Sequence, residues 1–242
     1  MNIQLPIIGT ADKRYTIHPG KIIAIGLNYT SHIEESESIK VRGLNSDVPQ
    51  TPVFFNKTPN VLIGPGANIV IPLCLNDYPW HQEARTDYEG ELVIIMGRTG
   101  KHIGEKDALS HIYGYTCGND VSQRNLQNSD RAGWFRGKSF DTFGPVGPCI
   151  LPAGTSVNPQ SLNIETRLNG KTVQSSNTSR MIFPIPRLIS YLSRQITLNE
   201  GDLIFTGTPS GVGPLTPGDT VEVEIEHIGI LANTVVTETL LQ

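Results

Sequence analysis

Two carboxylates separated by one glycine, Glu89 and Glu91, open the run Glu89-Gly90-Glu91-Leu92-Val93-Ile94-Ile95-Met96. The apolar residues that follow predict a β-strand. Strand residues i and i+2 share a face, so the pair lines up with Val93 and Ile95 on a side expected to be buried. Two like charges about 4 Å apart repel by roughly 4 kcal/mol at an effective dielectric of about 20, and burial makes each costlier. A positive group must stand between them, or one must hold a proton. A hard divalent cation meets the first demand, because oxygen-only ligands suit Mg²⁺, Mn²⁺ or Ca²⁺ better than Zn²⁺. The alternative is an edge strand with both glutamates in water.

Other residues could join such a centre. Asp120 ends a predicted strand at the expected start of a helix, with Arg124 and Gln127 on one helical face after it. An acidic ligand backed by a cation and an amide suits an oxyanion or keto acid; a simple helix cap with two solvated neighbours is the alternative. His32 and Glu35, at i and i+3, allow the carboxylate to hold one ring nitrogen while the other takes a proton from water, unless both lie on an exposed helix. Lys138 stands between a glycine and a serine, leaving room for a ligand. The turn Thr206-Gly207-Thr208-Pro209-Ser210-Gly211-Val212-Gly213 offers N–H groups and hydroxyls to a carboxylate. The patterns GxxxxGK[ST], GxGxxG after a first strand, and GxSxG are absent, which lowers nucleotide, dinucleotide and serine-hydrolase readings.

The elements that must position these groups are short. Strands are predicted over 21–26, 52–57, 68–72, 86–96, 112–120, 164–168, 203–205 and 221–225, with a tight turn at Asn169-Gly170. Helices are predicted from Asn28 to Glu35 and from Pro186 to Ser193, and residues 36–51 read as a mobile loop. Strands do not alternate regularly with long helices, so the fold class is a β-rich α+β domain. With 242 residues, 24 Gly and 17 Pro, the chain can bury a core and turn often. A net charge of −4 without a basic stripe argues against nucleic acid and anionic membrane as partners. The N-terminus does not read as a signal peptide and no apolar run approaches a membrane span, so a cytoplasmic location is expected. Cys74, Cys117 and Cys149 have no CxxC spacing and are expected to be buried thiols.

In this order the motifs resemble the fumarylacetoacetate hydrolase family. The matching blocks are Gly26-Leu27-Asn28-Tyr29 with His32, Pro52-Val53-Phe54-Phe55-Asn56-Lys57, Asp87-Tyr88-Glu89-Gly90-Glu91-Leu92, Asn119-Asp120-Val121-Ser122-Gln123-Arg124, Gly137-Lys138-Ser139-Phe140-Asp141, Asn177-Thr178-Ser179-Arg180-Met181-Ile182-Phe183, and the segment from Gly201 to Gly213. One block is ambiguous; seven in register are specific. The resemblance implies a mixed β-sandwich roll, an N-terminal extension over 1–20, a single catalytic domain over 21–242 with a lid region about 28–51, and a homodimer. It implies Mg²⁺ or Mn²⁺ held by Glu89, Glu91 and Asp120, with Arg124, Gln127 and Lys138 facing the substrate and Thr208 at its carboxylate. In the acylpyruvase and oxaloacetate decarboxylase-like branch, His32 and Glu35 match a His and Glu on a lid helix. Asn125 and Ser210 depart from many relatives, which carry Asp and Lys there.

The expected activity is hydrolysis of a carbon–carbon bond in an acylpyruvate-like 2,4-dioxo acid. His32, oriented by Glu35, takes a proton from water, and Lys138, with Gln127 or Arg124, donates to the developing oxyanion. Decarboxylation of oxaloacetate and isomerisation of an unsaturated 2-oxo dioic acid use the same enolate and remain open. A catalytically silent metal-binding or interaction protein is the reading from another class.

Overall fold

The computed structural model describes residues 3–35, 48–129 and 134–239, with the side chains of Glu34 and Glu35 left aside. Most of the expected loop over 36–51 therefore lies outside the described residues. Along the chain the strands are β1 (Ile3–Pro6), β2 (Arg14–Ile17), β3 (Ile22–Gly26), β4 (Val53–Lys57), β5 (Leu62–Ile63), β6 (Ile69–Ile71), β7 (Thr86–Tyr88), β8 (Gly90–Met96) and β9 (Ile112–Asn119). They continue with β10 (Ser122–Gln123), β11 (Gly144–Pro152), β12 (Asn163–Leu168), β13 (Lys171–Asn177), β14 (Leu203–Phe205), β15 (Gly213–Pro214), β16 (Thr220–Ile225) and β17 (Gly229–Thr237). The α-helices are α1 (Thr30–Glu35), α2 (Arg124–Ser129), α3 (Phe135–Lys138) and α4 (Ile185–Gln195).

A seven-stranded mixed sheet, ordered β4-β3-β14-β8-β9-β11-β5, forms the centre. A five-stranded sheet, β13-β12-β16-β17-β6, packs beside it, and small sheets β10-β7-β15 and β1-β2 complete the roll. The strand period of two explains the central sheet's role. Ile23 and Ile25 of β3 and Leu92, Ile94 and Met96 of β8 enter a core shared with Leu188, Ile189 and Leu192 of α4 and with Val223 and Ile225 of β16. The alternate residues Ile22, Ala24, Val93 and Ile95 enter a second core with Ile3, Leu5 and Ile17 of the N-terminal strands. Every residue of β8 is buried, so this strand has no solvated face and the edge-strand alternative fails.

Local chemistry accounts for the joints. Helix α4 follows Pro184 and carries Pro186 in its first turn, where a missing N–H costs nothing. Asn169 and Gly170, at φ +52° and +77°, make the tight turn between β12 and β13, a conformation both residue types tolerate.

Three expectations need correction. β9 stops at Asn119 and the short β10 intervenes before α2 begins at Arg124, so Asp120 does not cap that helix. The expected strand over 86–96 breaks at Glu89, where the chain passes from the small sheet containing β7 to the central one containing β8. Of the three cysteines only Cys117 is buried; Cys149 is half-buried and Cys74 exposed, because Cys74 falls on a surface turn after Pro72.

Candidate active site

The break at Glu89 is what builds the site. With the chain out of regular pairing, the Glu89 N–H donates to Asn119 Oδ1 at 2.8 Å while the Asp120 N–H donates to Glu89 O at 2.8 Å. These bonds hold Glu89 and Asp120 side by side from neighbouring strands. Gly90 must be glycine: a Cβ there would collide with Thr166 Oγ1 of the second sheet, and its N–H is already held by Gln174 Oε1 at 3.0 Å. Glu91 then returns to the central sheet. Gly207, in the left-handed region at φ +98°, turns its N–H onto Glu91 Oε2 at 2.7 Å. Carboxylate oxygens of Glu89, Glu91 and Asp120 all lie within 4.8 Å of one another, and the three residues are buried.

Cations surround two of the three. Lys138, at the end of α3, bridges Glu89 Oε2 at 2.6 Å and Asp120 Oδ2 at 2.8 Å. Lys57, the last residue of β4, donates to Asp120 Oδ1 at 2.6 Å and is fully buried. Arg124, the first residue of α2, contacts Glu89 Oε1 at 2.7 Å through Nη2, Asp87 Oδ2 at 2.8 Å through Nε, and Gln127 Oε1 at 2.9 Å through Nη1. Arg85 takes the other Asp87 oxygen at 2.8 Å. Glu91 differs. Among the described residues no cation pairs with it, and its hydrogen-bond partner is a backbone N–H.

Titration follows these contacts. Burial alone would raise the Glu89 carboxyl, but Lys138, then Arg124 and His32, outweigh it and hold the group well below its usual range. For Glu91, burial and the Asp120 and Glu89 charges push the carboxyl well above its usual range. Burial would lower the Lys138 ammonium, yet Asp120 and Glu89 raise it, whereas for Lys57 burial prevails over Asp120 and lowers it. His32, on α1, is buried; desolvation, helped by Arg124 and Lys138 and opposed by Glu89, lowers its pKa to about 4. The imidazole is therefore neutral at physiological pH. Its Nδ1 has no hydrogen-bond partner among the described residues, and Glu35, its expected partner, has its side chain outside them.

These groups enclose a cavity of ≈ 20 Å³, room for about one water-sized occupant. The three carboxylates, Lys138, Arg124, Gln127, His32 and Thr208 line it together with Phe55 and Trp134. Every sequence-predicted site residue except Glu35 thus meets here. Thr208 lies on the wall, but its hydroxyl donates to Gly90 O at 2.9 Å and accepts from Gln174 Nε2 at 2.9 Å. Asn28, the first residue of the predicted helix, lies outside α1 and clamps its base: its amide donates to Thr206 O at 2.7 Å and accepts from the Phe183 N–H at 2.8 Å.

Sequence reasoning missed Lys57, Asp87 and Trp134 as site residues. Two had a signal in the same alternation that exposed the glutamates: Asp87 precedes Glu89 by two positions, and Lys57 follows Phe55 by two at the end of an apolar strand. Trp134 had none.

A dication fits this donor set. All three carboxylates offer hard oxygen, the Lys138 ammonium bridging two of them shows that the cluster demands positive charge, and Glu91 is the carboxylate that no side-chain cation among the described residues satisfies.

The sequence profile of the fumarylacetoacetate (FAA) hydrolase C-terminal family matches residues 21–236. The chain belongs to the fumarylacetoacetate hydrolase family. Among its relatives is the mitochondrial oxaloacetate tautomerase Fahd2a of Rattus norvegicus, 37% identical, with 96% of this chain and 72% of the relative aligned. The fumarylpyruvate hydrolase from Pseudomonas aeruginosa, solved with Mn²⁺ and pyruvate, superposes with a TM-score of 0.81 at 31% identity, covering 98% of this chain and 97% of that one. The 5-carboxymethyl-2-hydroxymuconate delta-isomerase from Mycobacterium smegmatis gives 0.77 at 38% identity, covering 92% and 79%. The family therefore includes hydrolases, tautomerases and isomerases, and the β-rich architecture is that of its solved members. Among the described residues no helix is long and apolar enough to cross a membrane.

Proposed function

We propose that this fumarylacetoacetate hydrolase-family chain is an Mg²⁺- or Mn²⁺-dependent enzyme that hydrolyses a carbon–carbon bond in an acylpyruvate-like 2,4-dioxo acid. The observation that carries the reading is the convergence of Glu89, Glu91 and Asp120 with the buried His32 in one cavity. A cation held by those three carboxylates would supply Lewis-acid polarisation of a 2-oxo acid. The chain's own residues do the rest. Neutral His32 is able to take a proton from water, whose oxygen adds to C4 of the substrate. The C3–C4 bond then breaks, its electron pair remains on the pyruvate enolate, and C3 regains a proton. Lys138 and Arg124 are charged donors placed to bind developing negative charge, a role where losing one donor commonly costs ~10²- to 10³-fold in rate. The Mn²⁺ and pyruvate of the Pseudomonas aeruginosa enzyme support the same pairing of ion and product.

A second reading is favoured by the identity to the rat oxaloacetate tautomerase: interconversion of enol and keto oxaloacetate. It needs the same enolate and a proton exchanged at C3, but no attacking water; decarboxylation of oxaloacetate shares this economy.

The test measures pyruvate release from acetylpyruvate and enol-to-keto conversion of oxaloacetate, each with Mg²⁺, Mn²⁺ or EDTA. Metal-dependent turnover of either acid is expected. His32→Ala should abolish the hydrolysis while enolate-only reactions survive in part. Full activity in EDTA-treated protein would refute the scheme.

A further inference from the structure

One residue, Gly90, joins Glu89 to Glu91, and both of its backbone polar groups are held by side chains rather than by a strand. The reason is where β14 ends. Its pairing with β8 stops at Phe205 opposite Val93, and Thr206 adds one more bond from its N–H to Leu92 O at 3.1 Å. Gly90, two residues before Leu92, turns its groups to the same side but has no strand left to meet them. Its N–H donates to Gln174 Oε1 at 3.0 Å, and its carbonyl accepts from Thr208 Oγ1 at 2.9 Å. Gln174 Nε2 donates to that same Thr208 oxygen at 2.9 Å and to Pro209 O at 2.9 Å. Gly90, Gln174 and Thr208 thus close a ring of hydrogen bonds in which each gives one and accepts one. A side-chain amide can complete it because, like a peptide, it carries both a donor and an acceptor.

The ring is dry. Gln174 is 1% exposed and Thr208 3%, so an opened bond would leave a polar group without water to replace its partner. It also sits between two parts of the site. On one side are the carboxylates that flank Gly90; on the other is the turn after β14, where the Gly207 N–H holds Glu91 Oε2 at 2.7 Å. That turn is seated on β13, since a Cβ at Gly211 would stand 2.0 Å from Val173 O. Thr208 lines the cavity and Gln174 does not. The Thr208 hydroxyl has already given its one hydrogen to Gly90 O.

We infer that Gln174 is a positioning residue, which acts with Thr208 to set the spacing of Glu89 and Glu91 for a divalent cation. The Thr208 hydroxyl serves this ring and not the substrate. The inference rests on the proposed cation site and assigns its support to a side chain of the second sheet.

The experiment measures Mn²⁺ binding to metal-free protein by calorimetry, an arm that needs no turnover, and KM for acetylpyruvate at saturating Mn²⁺. Gln174→Met and Thr208→Val keep side-chain bulk and open the ring. Each should weaken Mn²⁺ binding by roughly 10- to 100-fold, the usual loss when a group that orients a metal ligand is removed. The double variant should be no worse than either, because both changes open one ring. KM should stay within about twofold, since no substrate contact is lost. Thr208→Ser, which keeps the hydroxyl, should bind Mn²⁺ like the unaltered protein. Asn233 is a buried amide on β17 of the same sheet that clamps Gly64 O and Ala67 O at 3.0 and 2.7 Å. Asn233→Leu should therefore lower stability and leave Mn²⁺ binding alone.

If Thr208→Val raises KM without weakening Mn²⁺, its hydroxyl touches substrate and the inference is overturned. It is equally overturned if Mn²⁺ binding is unchanged in both ring variants, if their losses add in the double variant, or if Asn233→Leu weakens Mn²⁺ as much. Should Gln174→Met not fold, the contrast of Thr208→Val with Thr208→Ser decides. If the unaltered protein binds no Mn²⁺, the cation reading itself falls and takes the inference with it.

Discussion

Two clusters in this molecule join cations to carboxylates over the same short distances, and they do different work. On the face of the second sheet Arg167 reaches Glu165, Glu222 and Glu224 at 2.7 to 2.9 Å, with those partners 36%, 29% and 44% exposed. In the cavity Lys138 reaches Glu89 and Asp120 at 2.6 and 2.8 Å, with all three side chains at most 6% exposed. Water screens the first cluster, so its geometry carries little energy. The second has no water to fall back on, so each removed partner leaves a buried charge. There the ion pairs must be complete, and among the described residues one carboxylate, Glu91, has no cation paired with it.

The sharpest way to break this contrast is Glu89→Ala. It takes one of two carboxylate partners from Lys138 and from Arg124 and removes a proposed metal ligand, so Mn²⁺ binding by calorimetry and turnover should both vanish. Breaking a buried pair should also cost about 3–5 kcal/mol of stability, read from denaturant unfolding. An unchanged midpoint would mean that water reaches the cluster freely.

Glu91→Gln separates charge from ligation within the cavity. Metal affinity should fall by at least roughly 100-fold, a loss that outer partners of a metal site already approach, while the metal-free protein should be as stable as before or more so. The sign follows from linkage. Above its ordinary value of 4.5 the Glu91 carboxyl is ionised in the unfolded chain but still holds its proton in the fold. The metal-free protein thus loses stability as pH rises through the raised folded value. Mn²⁺ should remove that loss, and so should the glutamine. A steep destabilisation of metal-free E91Q would contradict this account.

His32 acts in the opposite direction and over a lower range. Its pKa falls from 6.5 unfolded to about 4 folded, so stability is present above 6.5 and is lost as pH drops toward 4, by about 3 kcal/mol. Thermal midpoints of the unaltered protein and of His32→Gln across that range should differ in slope, with the variant flatter.

The smallest effect closes the comparison. Arg167→Ala should change stability by at most about 1 kcal/mol, less in high salt, and leave Mn²⁺ affinity and turnover untouched. A loss of turnover there would show that the surface cluster is coupled to the site.

The alternation in the segment from Glu89 to Met96 was legible because strand period and hydrophobicity are local properties. The two glutamates could be put on the apolar side of a strand without knowing which sheet they joined, while their burial was left to the fold to decide. The strand ranges near 22–26, 53–57 and 220–225 were readable for the same reason. What misled the reading of Asp120 was also local: a polar residue after an apolar run resembles a cap, and only the pairing of β10 with β7 delays the helix to Arg124. Cys74 shows the converse limit, since residue type favours burial but a surface turn overrides it.

The order of residue types along the chain therefore settled the family, the β-rich class and the acids that meet. Each of these is carried by short-range pattern or by motifs whose residues are named outright. Folding alone decided the electrostatics. It placed Lys57 and Lys138, remote in sequence, against Glu89 and Asp120, and among the described residues it left Glu91 without a cation. Pairing, desolvation and the absence of a partner are properties of neighbours in space, and the linear chain does not say who those neighbours are.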